Sequence, residues 1–154
     1  MPLLLIPMSK IVPTISSGVA GPMGVLHLPR FWQKVSLEVA GKLAEGYPGC
    51  GGGYDQMVLD ALGLDKASTL EFIAQSKPTY PQLEAWIRSQ PEVKLDQESI
   101  NAINAAITGY IHADETRQAI LQANGLSDGP EAPRDAINLN NLDDWLEFHQ
   151  SEIA

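Results

Sequence analysis

Asp96-Gln97-Glu98-Ser99-Ile100-Asn101-Ala102-Ile103-Asn104-Ala105-Ala106-Ile107-Thr108-Gly109-Tyr110 is the stretch that decides the fold class. Ile100, Ile103, Ile107 and Tyr110 step at i, i+3, i+7 and i+10, which lays one apolar stripe along a helix from Gln97 to about Tyr110. Asp96 stands where a side-chain oxygen can accept from the first free N–H groups of that helix.

The same grammar extends in both directions. Upstream, Thr79-x-x-Gln82 is a capping box opening a helix through Leu83, Trp86 and Ile87, and Pro91 closes that element. Asp65 caps a helix over about 66–75 that buries Leu70, Ile73 and Ala74. Gly63-Leu64 reads as a Schellman stop for a helix over 54–62. A first helix is expected from about Pro29 to Glu45, with Leu28, Trp32, Val35, Val39 and Leu43 as its stripe and Gly46 at its end. Downstream, Asp114 is expected to cap a helix over 115–124 that buries Ala119, Ile120 and Ala123, with Gly125 after it. Asn140 or Asn141 is expected to cap the last helix, with Asp143 and Asp144 complementing its dipole and Leu142, Trp145, Leu146 and His149 on one face. Trp32, Trp86 and Trp145 are expected in the core. Seven short helices with almost no alternating pattern predict an all-α fold. It is read as a single domain over 26–154, with an extended N-terminal arm over 1–25 rich in Pro, Gly and Ser. The first seven residues are read as an extension ahead of an alternative start at Met8.

The chain has 154 residues, one cysteine and a net charge of -9. That acidity argues against nucleic acid or an anionic membrane as partner. The charge is uneven. Residues 1–49 hold four basic residues against two acidic ones, so the remainder carries -11. A lone cysteine excludes an internal disulfide and a multi-cysteine metal cage, and a cytoplasmic setting is the expectation. The apolar start is too short and Pro-interrupted for a membrane span. His27, His112 and His149 are scattered, so no metal site is expected, and no cofactor motif is present.

One segment is not explained by scaffold alone. Tyr47-Pro48-Gly49-Cys50-Gly51-Gly52-Gly53-Tyr54-Asp55 joins the first two helices and holds the only cysteine and the densest glycine run. Glycines there allow positive φ and close approach of another group. Gly51, Gly52 and Gly53 running into a helix N-terminus offer free N–H groups and the positive end of a dipole, an anion site in outline. The same surroundings would lower the pKa of Cys50. On the plainer alternative the glycines are a tight connection and Cys50 a small buried hydrophobe.

The ordered set Leu28-Pro29-Arg30, Lys34, Gly41-Lys42-Leu43, Cys50, Asp55-Gln56, Gly63-Leu64-Asp65 and Trp86-Ile87 resembles a bacterial family of small helical proteins catalogued as a domain of unknown function, over about His27–Ile87. The resemblance implies helical boundaries and directs attention to Arg30, Lys34, Cys50 and Asp55. It implies no reaction.

Two functions follow as expectations. In the first, a small anionic or carbonyl-bearing molecule sits between the first helix and the glycine loop, held by Arg30, Lys34, Gly51, Gly52, Gly53, Tyr54 and Asp55. Cys50 with His27 as base would then supply any nucleophilic chemistry. In the second, the protein is a non-enzymatic assembly module, a helical homodimer or adaptor, with a structural cysteine.

Overall fold

The computed structural model describes residues 9–154. The described chain holds seven helices: α1 (Leu28–Val39), α2 (Tyr54–Leu62), α3 (Lys66–Ser76), α4 (Tyr80–Arg88), α5 (Gln97–Thr108), α6 (Asp114–Ala123) and α7 (Ala136–Glu152). Among the described residues there is no strand, only three isolated β-bridges. The expected all-α single domain is what forms. No helix among the described residues is long and apolar enough to cross a membrane.

Helix α1 is central, packing on α2, α3 and α4, while α5 joins α2 to α7 and α6 lies on α7. The core runs through Leu28, Phe31 and Val35 of α1, Val58, Leu59 and Leu62 of α2, Leu83 and Ile87 of α4, and Ile100, Ile103 and Ile107 of α5. Removing such side chains from water is the main favourable contribution to folding. Three local signals behave as their chemistry demands. Asp96 accepts from the Ser99 N–H, Asp65 from the Ser68 N–H, and Thr79 and Gln82 close a reciprocal capping box. At Gly63 (φ 73), the Gly63 N–H donates to Asp60 O and the Leu64 N–H to Leu59 O, the two bonds of a Schellman stop.

Several boundaries differ from expectation. Helix α1 ends at Val39, because Gly41 adopts a left-handed backbone (φ 70) and turns the chain. Leu43 then pairs with Ile11 of the N-terminal segment instead of continuing the helix. Helix α7 begins at Ala136, ahead of the expected asparagines. Asp135 is its cap, accepting from the Asn138 N–H, so Asp143 and Asp144 fall in mid-helix. Ala113 precedes α6, with Asp114 inside its first turn. The buried faces of α3 and α6 are also rotated. Thr69 and Ile73 are buried and Ala74 is exposed in α3, while Arg117 and Leu121 are buried and Ala119 and Ala123 lie outside the buried set of α6. Alanine carries too little apolar area to fix a helix face against larger neighbours. Trp145 is 62% exposed, not core.

The N-terminal segment, as far as it is described, lies on α1. Gln33 Oε1 accepts from the Thr14 and Ile15 N–H groups, and Ile15 O accepts from Arg30. The part of the expected arm over residues 1–8 lies outside the described residues.

Candidate functional site

A cavity of about 330 Å³ opens between α1, the 46–53 loop, the start of α2 and the first half of α7. Eight of the nine residues singled out from the sequence line it: His27, Arg30, Lys34, Gly51, Gly52, Gly53, Tyr54 and Asp55. The ninth, Cys50, is not part of its lining.

Asp55 is the focus of one wall. It is the second residue of α2, 2% exposed, and accepts three hydrogen bonds. His27 Nε2 donates to Oδ1 at 2.6 Å, and Lys34 Nζ (2.6 Å) and the Gly51 N–H (2.7 Å) donate to Oδ2. Burial alone would raise the Asp55 pKa, but the His27 hydrogen bond and the Lys34 charge outweigh it and hold the carboxyl below its usual range. For His27, burial is the dominant influence. It lowers the imidazole pKa, and the attraction of Asp55 only partly offsets that. The ring is therefore neutral near pH 7. With an ionised Asp55 as acceptor, Nε2 carries the proton, and Nδ1 accepts from the Ser17 hydroxyl at 2.9 Å. His27 also holds a left-handed backbone (φ 71) at the N-cap of α1. That conformation is uncommon outside glycine and is held here by both ring nitrogens.

A second buried pair also lines the cavity. Arg30 forks onto Asp144 through Nη1 (2.6 Å) and Nη2 (3.0 Å), and the Tyr47 hydroxyl donates to Asp144 Oδ1 at 3.0 Å. Burial and the Asp144 charge push the Tyr47 phenol far above its ordinary pKa, so it stays a donor. Tyr110, His112, Asn140 and Asp143 also line the cavity, with His112 Nε2 and Asn140 Oδ1 2.9 Å apart. Burial, then Asp144 and Glu147, push Asp143 up, against the pull of Arg30 and His112.

The glycine run works differently from expectation. None of Gly51, Gly52 and Gly53 has positive φ. A side chain at Gly49 would collide with the Glu38 carboxylate, whose Oε2 accepts the Gly49 N–H. Gly52 and Gly53 have open space around them and present bare backbone to the cavity.

Cys50 is half-buried and packs on the hydrophobic core. Its pKa is raised, first by burial and then by the Asp55 charge, not lowered as the loop alone suggested. Asp55 already neutralises the local positive field that would have favoured a thiolate. No hydrogen bond joins Cys50 to His27 among the described residues, since the His27 nitrogens face Ser17 and Asp55.

Sequence reasoning missed Ser17, Tyr47 as a donor, Tyr110, His112, Asn140, Asp143 and Asp144. The α7 set was within reach. Ala136, Asn140, Asp143 and Asp144 fall at i, i+4, i+7 and i+8, the buried-face spacing of a helix that starts after Asp135. Among the described residues no group of three potential ligands could hold a metal ion.

No curated protein matches this chain. A family model described as a domain of unknown function (DUF5069) matches residues 14–145, from the segment carrying Ser17 to the Asp143-Asp144 turn of α7. The chain therefore belongs to the DUF5069 family.

Proposed function

We propose that the protein binds a small polar molecule in the cavity between α1, the glycine loop and α7. One observation carries the reading: two buried ion pairs, Lys34–Asp55 and Arg30–Asp144, both line one open cavity. Buried ion pairs gain little stability over apolar packing, because desolvation offsets their attraction. Charged groups gathered on a concave surface are the usual mark of a binding or reaction site. Bare backbone at Gly52 and Gly53 lets a ligand approach closely, and Lys34 keeps two further N–H donors beyond its bond to Asp55. Cys50 then has a packing role, and any proton transfer falls to the Lys34–Asp55–His27 set. The single cysteine suits a reducing, cytoplasmic setting.

The test is a thermal-shift screen of small polar metabolites against the wild type, Lys34→Met and Trp145→Ser. A ligand present at 100 times its Kd stabilises the folded state by about 2.7 kcal/mol. Hits should stabilise the wild type and Trp145→Ser but not Lys34→Met. Hits that stabilise all three alike, or no hits, contradict the proposal.

A second reading has its own support. Trp145, Phe148 and Ile153 are 62%, 45% and 64% exposed on and just beyond α7, a cluster that suits an assembly surface. Sedimentation equilibrium across a range of concentrations tests it: association that Trp145→Ser abolishes supports assembly, and a monomer throughout rejects it.

A further inference from the structure

We infer that the molecule taken by this cavity carries a cationic nitrogen, seated beside Asp143, so that its class is a small amine or amino-containing zwitterion. This rests on the reading above that the cavity takes a small molecule. The charge inventory carries it. The two cationic side chains of the lining, Arg30 and Lys34, are each matched by a buried carboxylate at 2.6 Å. Asp143 also lines the cavity and has no ion pair among the described residues. Counting the Lys, Arg and Asp side chains alone, two positive and three negative groups leave the lining at -1. An incoming anion would meet cations whose charges are already matched, whereas an ammonium group would complete the unmatched carboxylate.

The surroundings of Asp143 agree. Its carboxyl lies within electrostatic reach of Tyr47, Arg30, His112, Asp144 and Glu147, and the two further acids outnumber the one fixed cation. Tyr47, Tyr54 and Tyr110 line the same cavity, and tyrosine faces attract cationic nitrogen. Elsewhere in the lining, the Gly52–Gly53 backbone and the spare Lys34 donors suit a carbonyl or carboxylate, which is why a zwitterion falls within the class.

The test uses three four-carbon probes of one length and different charge: 1,4-diaminobutane, 1,4-butanediol and succinate. Each is titrated into the wild type and Asp143→Asn while backbone amide shifts are followed by NMR. The diamine should move the amides of Gly52, Gly53, Asn140 and Asp143 saturably, and bind more tightly than either other probe. Asp143→Asn should weaken it roughly tenfold, as loss of one charge-assisted bond implies. If succinate or butanediol binds as well as the diamine, or Asp143→Asn leaves diamine affinity unchanged, the cation inference is overturned and the small-molecule cavity stands. If none of the probes moves those amides, both fail. The wild-type probe series decides the matter even where the variant folds poorly.

Discussion

Helices α1 and α5 both cross the core, and they fill it in opposite ways. On α5 the buried residues are Ile100, Ile103 and Ile107, and no charged residue is buried, with half-buried Asn104 bonding the Gly24 and Leu26 backbone. On α1 the buried set mixes Leu28, Phe31 and Val35 with Arg30 and Lys34, each 6% exposed, and with His27 at the cap. A scaffold helix has no need of this. Burying a lysine and an arginine costs several kcal/mol each before any partner is met. Where a helix departs from the simple pattern and its charges face a cavity, the departure marks what the fold is arranged to present.

Substitutions can break or sharpen that contrast. The largest effect is expected from Asp55→Asn, which leaves Lys34 buried without a counter-charge. It should cost roughly 3–5 kcal/mol in urea denaturation. Lys34→Met should cost less, about 1–3 kcal/mol, because Asp55 keeps the His27 and Gly51 donors. On the apolar helix, Ile107→Val removes one methylene from a fully buried site and should cost about 0.5–1.5 kcal/mol. An Ile107→Val effect larger than Asp55→Asn would dissolve the contrast.

Acid titration sharpens it in another way. His27 has a depressed pKa in the folded state, so the unfolded chain takes up its proton first as pH falls. The His27 contribution to stability is complete above the unfolded value of about 6.5 and declines below it. The depressed Asp55 pKa gives a contribution present above about pH 4 and lost in stronger acid. His27→Asn, which introduces a side chain tolerant of the left-handed backbone, should flatten the fall in stability that sets in below about pH 6.5 while leaving the steeper acid limb. An unchanged slope would mean that His27 titrates normally. The smallest effect concerns Cys50, whose alkylation rate should reach its midpoint above that of a free cysteine. A midpoint below it would restore the activated thiolate.

Much of this was legible in the sequence, for identifiable reasons. The α5 stripe, the Asp65 and Asp96 caps, the Thr79–Gln82 box and the Gly63 stop are local: each is set by residues a few positions apart, the caps and the stop by hydrogen bonds to nearby backbone. The glycine loop and the α1 charges could be singled out because they violate a packing pattern. Their partners could not be read, since Arg30 meets Asp144 across 114 positions and Lys34 meets Asp55 across 21. The start of α7 was missed because Asn140 and Asn141 are also good capping residues. Only the packing of Ala136 and Leu139 against the core selects Asp135. The Cys50 pKa was misread because the sequence shows neither the burial of the thiol nor that the Asp55 carboxylate turns back onto the loop at the Gly51 N–H.

Central to the proposed function is that the charge network of α1 serves the cavity more than the fold. The unfolding free energy of the double variant Lys34→Met/Asp55→Asn tests it most directly. The amide oxygen that Asp55→Asn introduces can still accept from the Gly51 N–H, and a neutral His27 can exchange tautomers to meet the new side chain. With both charges gone, no buried ion is left alone. The double variant should return to within about 1 kcal/mol of the wild type, well above Asp55→Asn alone. A double variant that loses as much as the two single losses added together would show that the network is a keystone of the fold, and would contradict the claim.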